Sequence, residues 1–70
     1  MSANKALYRS VKKAIGVRNL NYEVLANAIG YSQSAIKRFM YDLKAGRSGS
    51  RYIRHSIIKY FDGKIIEEEH

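Results

Sequence analysis

One predicted helix carries a face rich in hydrogen-bond donors and positive charge. At about 100° per residue, one side of the segment Gln33–Lys44 is apolar and the opposite side is polar. Such polar side chains donate hydrogen bonds and attract anions, so the face favours binding of an anionic partner. It carries three cations, two uncharged polar groups, one tyrosine and no carboxylate: Gln33, Ser34, Lys37, Arg38, Tyr41 and Lys44.

The charge of the whole chain also favours an anionic partner. Thirteen Lys and Arg stand against six Asp and Glu, which gives a net charge of +7 and a pI near 9.9. Three of the acids are Glu67, Glu68 and Glu69, so the excess of positive charge over residues 1–66 is larger still. A compact domain this basic repels itself unless its partner is a polyanion, and nucleic acid is the leading candidate. A basic surface that serves only solubility is the alternative.

The composition disfavours most catalytic and metal chemistry. The chain has no Cys, which excludes disulfides, thiolate zinc sites and a cysteine nucleophile. His55 and His70 are too few and too far apart for a metal centre. No Ser–His–acid arrangement with a glycine elbow and no phosphate-binding glycine loop is present. We therefore expect no enzyme activity, no metal, no cofactor and no small-molecule substrate.

The sequence contains no recognisable membrane or export segment. No apolar run approaches the roughly 18 residues of a membrane-spanning helix. The N-terminus also lacks the apolar stretch of a signal peptide. We expect a cytoplasmic protein that does not bind membranes.

Four helices are predicted to position the polar face, because apolar residues recur at helical spacing through most of the chain. Seventy residues allow one small domain, so we predict an all-α domain over 1–62 with four helices, possibly five, and an acidic tail over 63–70. The predicted helices are Asn4–Ile15, Tyr22–Ile29, Gln33 to about Lys44, and a fourth through about Phe61. Their predicted N-caps are Ser2 or Asn4, Asn21, Ser32, and Ser48 or Ser50, and the first three are predicted to end at Gly16, Gly30 and Gly46.

The end of the chain has a second interpretation. Ile57–Phe61, Asp62-Gly63 and Lys64–Glu68 also match a β-hairpin with a type I′ turn. Hairpin strands need alternating apolar residues, whereas Ile57-Ile58 and Tyr60-Phe61 occur as adjacent pairs. A helix through Phe61 is therefore the preferred prediction.

The segment Tyr22–Phe39 resembles the helix-turn-helix of the lambda-repressor-like (Cro and repressor, XRE-type) DNA-binding family. That motif has an alanine in its first helix, a glycine four residues later, a serine or glycine closing the turn, and an isoleucine or valine six residues after the glycine. The matching residues are Ala26, Gly30, Ser32 and Ile36. The resemblance covers about residues 4–61 and implies a lambda-repressor-like fold whose motif core is Leu25, Ala26, Ile29, Gly30, Ile36 and Phe39.

The resemblance implies a role for each polar residue around the third helix. This helix would be the recognition helix in the major groove, with base contacts from Gln33, Ser34, Lys37, Arg38 and Tyr41. Phosphate contacts would come from Tyr22, Ser32, Lys44, Arg47, Ser48 and Arg51. Alternatives stay open for four of these residues. Gln33 and Ser34 either read bases or only help to start the helix. Lys37 and Arg38 either read bases, contact phosphates only, or form an ordinary solvated face. Many family members have Gln where this chain has Tyr22, and Asp42 is either an acid that closes onto the following loop or an ordinary surface carboxylate.

The resemblance also implies a function. It indicates a sequence-specific double-stranded DNA-binding transcriptional regulator, a repressor of the phage or mobile-element Cro type. Such a protein would bind a palindromic operator as a homodimer, in the nucleoid of a bacterial or phage-infected cell. An excisionase-like DNA-bending factor and an antirepressor-like protein-interaction module are the two alternatives.

Overall fold

The computed structural model of the chain describes residues 3–61, and this part is entirely α-helical. It contains four helices and no strand: α1 (Ala3–Val17), α2 (Tyr22–Ile29), α3 (Gln33–Lys44) and α4 (Arg51–Tyr60). The predicted all-α fold with four helices is confirmed. The predicted tail at 63–70, the domain boundary at 62 and the Ser2 cap lie outside the described residues. None of the four helices is long and apolar enough to cross a membrane.

A single apolar core joins the helices. α3 packs against both α1 and α2, and α4 packs against α2. Each fully buried aliphatic or aromatic side chain contributes about 1.5–3 kcal/mol relative to an exposed one. The core therefore fixes the apolar face of α3 and leaves its other face outside. Its buried side chains are Leu7, Val11, Ile15, Leu25, Ala26, Ile36, Phe39, Met40, Leu43, Ile53, Ile57 and Phe61.

The first helix extends beyond its predicted end at Gly16. Gly16 lies inside α1, which continues to Val17. The chain then turns at Asn19, whose φ of 56° is in the left-handed region that Asn adopts more readily than most residues. The Leu20 N–H donates to the Ile15 carbonyl (2.9 Å) and the Asn19 N–H to the Gly16 carbonyl (3.2 Å), which is a Schellman motif. An asparagine, and not the glycine, thus ends α1.

The fourth helix rules out the hairpin interpretation for Ile57–Phe61. α4 continues to Tyr60, and the Phe61 N–H still donates to the Ile57 carbonyl (3.1 Å). Ile53, Ile57 and Phe61 are buried on one side of the helix, whereas His55 and Lys59, which strand alternation would place on that same side, are exposed. The second hairpin strand, 64–68, lies outside the described residues. Of the two predicted N-caps, Ser50 takes the role, because its hydroxyl accepts from the Ile53 N–H (3.4 Å).

Candidate nucleic-acid interface

The turn between α2 and α3 is short and closed by several hydrogen bonds. Gly30 has φ of 83°, and its N–H and that of Tyr31 both donate to the Ala26 carbonyl, the latter at 2.9 Å. The Ser32 hydroxyl then accepts from the Ala35 N–H (3.1 Å) and caps α3, as predicted. These contacts fix the direction in which α3 leaves α2.

The predicted motif core lies where α2 meets α3. Ala26 is 1% exposed, and its small side chain lets the two helices approach closely. Ile29 is partly buried at the edge of the core, and Gly30 lies in the turn itself. The other predicted core residues are fully or almost fully buried: Leu25, Ile36 and Phe39. These side chains therefore lie in or at the edge of the core.

The outer face of α3 is available to a partner. The five residues predicted to contact bases are all exposed, and so is the last residue of the helix: Gln33, Ser34, Lys37, Arg38, Tyr41 and Lys44. Below we call these six residues the α3 face. Tyr41 is 66% exposed, so its ring and hydroxyl are both accessible on this face. The nearest carboxylate, Asp42, lies on the flank and is half-buried.

Asp42 closes onto the loop that follows α3. Its Oδ1 accepts from Nε (3.1 Å) and Nη2 (2.9 Å) of Arg47. A backbone hydrogen bond joins the same two residues, because the Arg47 N–H donates to the Asp42 carbonyl (2.8 Å). Gly46, which lies between them, has φ of 90° and lets the chain turn back at the end of α3. The Arg47 guanidinium also lies 5.6 Å from the ring centre of Tyr41. Of the two interpretations of Asp42, the structure supports closure onto the loop.

These contacts hold the Arg47 guanidinium beside the α3 face. The side chain remains 58% exposed, so its other N–H groups still point to solvent and are free to meet a phosphate. An exposed ion pair of this kind contributes at most about 1 kcal/mol to stability. The ion pair with Asp42 therefore mainly fixes the position of the Arg47 guanidinium.

The residues predicted to contact phosphates lie in three places. Tyr22 is half-buried at the start of α2, and Lys12 Nζ of α1 lies 5.5 Å from its ring centre. The Lys12 ammonium therefore lies over the face of the Tyr22 ring. The Ser32 hydroxyl accepts a hydrogen bond as the α3 cap but can still donate one. The remaining residues are exposed at or near the loop between α3 and α4: Lys44, Arg47, Ser48 and Arg51.

A side chain from α1 anchors this loop. Asn4 Nδ2 donates to the Gly46 carbonyl (3.1 Å), and Arg54 Nη2 (2.7 Å) and Nη1 (3.2 Å) donate to Asn4 Oδ1. Asn4 is therefore not the predicted N-cap, because it lies inside α1 and its side chain binds Gly46 and Arg54. No local pattern could reveal the link, because its partners are 42 and 50 residues away along the chain.

We expect Asn4→Ala to lower the free energy of unfolding by about 1–2 kcal/mol, since it removes hydrogen bonds to a carbonyl and to a charged group. Chemical denaturation of the full chain measures the loss. Asn27→Ala, at an exposed position of α2, is the matched control and should not destabilise the protein. Equal midpoints for the two variants would show that the Asn4 contacts contribute nothing.

The polar chemistry of residues 3–61 lies at the surface. No polar or charged side chain in this range is buried. Within the same range no three His, Cys, Asp or Glu side chains come together as a potential metal site. All polar and charged side chains of residues 3–61 are therefore at least partly accessible to a partner, and those of the α3 face are exposed.

The chain is not significantly similar to any known protein family, curated protein or solved structure with which it was compared. Its function must therefore be inferred from its own residues.

Proposed function

We propose that this protein is a sequence-specific double-stranded DNA-binding regulator of transcription that inserts α3 into the major groove. One observation carries the proposal: the α3 face is exposed and free of acids, while the opposite side of α3 is buried against α1 and α2. A helix held in this way fits the width of the major groove of B-DNA, about 12 Å.

The side chains of the α3 face have the chemistry for reading base edges. Gln33 at the helix start can pair bidentately with adenine N6 and N7. Lys37 and Arg38 can donate to O6 and N7 of guanine, and Ser34 can pair with several bases. The N-terminal half of a recognition helix usually reaches the bases, which favours these four over Lys44.

Phosphate contacts on either side would set the position of α3. Tyr22 with Lys12 stands at the start of α2, and Arg47 stands beside the C-terminal end of α3. Such contacts fix register and supply affinity without reading sequence. Together with the resemblance to the lambda-repressor-like motif, they support a protein that acts by occupying an operator.

The resemblance extends the proposal to the form of the complex. We propose a homodimer on a palindromic operator, as in Cro-type repressors of phages and mobile elements, acting in the cytoplasm of a bacterial or phage-infected cell. Occupancy of the operator would then block RNA polymerase or a competing regulator.

Selection of bound DNA from a pool of random duplexes tests the proposal. We expect a single enriched site with two-fold symmetry. A protein that enriches no site and binds no duplex even at low salt would contradict the proposal and favour the protein-interaction module. An enriched site that the protein bends strongly, without effect on a linked promoter, would favour the DNA-bending factor.

We expect strong salt dependence of binding to the selected duplex. With six to ten phosphate contacts, the affinity should fall by about 10³–10⁵-fold between 50 and 200 mM salt. Fluorescence anisotropy at several salt concentrations measures the slope of the logarithm of the affinity against the logarithm of the salt concentration. Lys44→Ala should lower that slope by about 0.9, the loss of one phosphate contact. A flat salt response would show that phosphates do not contribute to binding.

A further inference from the structure

A second polar groove lies next to the α3 face. It has a volume of about 460 Å³ and is lined by Tyr31, Arg51, Tyr52, His55 and Ser56. We call it the α4 groove. Tyr31 comes from the turn between α2 and α3, and the other four come from the first half of α4. Of these residues, Arg51 alone is among the phosphate contacts that the resemblance implies.

Helical spacing explains how α4 forms its side of the groove. Arg51 and His55, and likewise Tyr52 and Ser56, are four residues apart, so each pair lies on one face of the helix. The core residues Ile53 and Ile57 lie on the opposite side and hold that face outward. Tyr52 is 72% exposed, although nothing in the core requires a tyrosine there.

The groove is lined by hydrogen-bond donors. The residues that line it carry three hydroxyls, one imidazole and one guanidinium, and all of these groups can donate to an anion. The carboxylates of residues 3–61 are Glu23 and Asp42, and neither lines it. This composition suits a partner with negatively charged oxygens, and the two tyrosine rings offer apolar surface beside them.

The positions of two groove residues along the chain place the groove near the α3 face. Tyr31 directly precedes Ser32, the N-cap of α3, so one end of the groove adjoins Gln33. At the other end, Ser50, which directly precedes Arg51, lines a cleft together with Arg38. The groove therefore lies beside the start of α3, within reach of a ligand that covers the α3 face.

Charge decides between the two candidate occupants. A second copy of the chain docked here would bring its Arg51 against Arg51 of the first, and this local repulsion of like charges disfavours a dimer across the groove. DNA backbone brings the opposite charge. Its deoxyribose rings can also pack on the tyrosine rings.

We infer that the α4 groove binds the sugar–phosphate backbone of the same duplex whose bases α3 reads, with Tyr31, Tyr52, His55 and Ser56 as further contacts beside Arg51. The inference rests on the proposed function and deepens it. It gives the protein a backbone contact along α4 in addition to those at Tyr22 and in the loop after α3.

Removal of hydroxyls tests the inference without changing charge. We expect Tyr52→Phe/Ser56→Ala to bind the selected duplex about tenfold more weakly than the wild type, since hydrogen bonds to charged oxygens are lost. His55→Ala should weaken binding to a similar degree. Base preference should be unchanged in all these variants, because backbone contacts do not read sequence.

Matched variants separate the groove from general effects. Tyr8→Phe removes a hydroxyl from α1, outside the groove, and should bind as the wild type does. Arg51→Ala should also lower the salt slope by about 0.9, whereas the hydroxyl variants should leave the slope unchanged. Thermal melting of each variant checks that the fold is retained.

Three results bear on the inference differently. Wild-type affinity in both Tyr52→Phe/Ser56→Ala and His55→Ala, with selective binding still dependent on Lys37 and Arg38, would overturn the inference and leave the proposed function standing. A change in oligomeric state without a change in affinity per protomer would overturn it in favour of a subunit interface. Failure of the wild type to select any duplex would overturn both proposals.

Discussion

We expect Lys37→Ala/Arg38→Ala to lose most sequence-selective DNA binding. Both side chains project from the exposed side of α3, near the middle of the helix. Each good bidentate contact to a base contributes about 1–3 kcal/mol of discrimination, so losing two should cost about 30-fold to 10⁴-fold in preference for the selected duplex over a scrambled one. Competition titration with the two duplexes measures this ratio.

The fold should survive this double substitution, because both positions are exposed and alanine is a strong helix former. The control is Arg9→Ala/Lys13→Ala, which removes two exposed cations from α1. It should weaken binding to both duplexes equally and keep their ratio. If the α3 variant also keeps the ratio, the prediction that Lys37 and Arg38 read bases is wrong.

We expect Gly49→Ala to cause a large loss of stability. Gly49 has φ of 64°, where an alanine costs about 1–2 kcal/mol. An added Cβ would also lie 2.8 Å from Cδ1 and 3.1 Å from Cε1 of Phe39, whose ring is 2% exposed and enclosed by the core. Relief of such overpacking costs about 1–3 kcal/mol more.

A total of about 3 kcal/mol is a large part of the stability of so small a domain, and should lower the melting temperature by more than about 10 °C. Gly16→Ala is the matched control, since Gly16 lies inside α1 with no atom within 4 Å of the added Cβ. Alanine there should stabilise the protein by about 0.5–1 kcal/mol. Melting of both variants by circular dichroism gives the comparison, and a Gly49 variant as stable as wild type would show that the loop moves away from Phe39 without cost.

Local signals predicted most of the fold and the face of α3. Asn21, Ser32 and Gly30 form capping hydrogen bonds with residues a few positions away along the chain, and each has the role that its residue type indicated. The exposure of Lys37 and the burial of Phe39 follow from helical spacing alone.

The failures arise where another part of the chain decides the outcome. Asn4 is a reasonable N-cap by sequence, but the Gly46 carbonyl and Arg54 bind its side chain instead. No local signal singles out Gly49, because its close approach to Phe39 depends on how the loop lies on α3. The end of α1 was misplaced because Asn19, which also adopts the left-handed conformation, ends the helix after Gly16.

The Asn4 link also has a consequence for the order in which the protein folds. α2, the turn and α3 are neighbours along the chain, so they can assemble early at a small cost in loop entropy. Asn4 meets the Gly46 carbonyl and Arg54 only after the chain has closed over 42 and 50 residues. The contacts of Asn4 with the loop after α3 and with α4 should thus form last, after α2 and α3 have assembled.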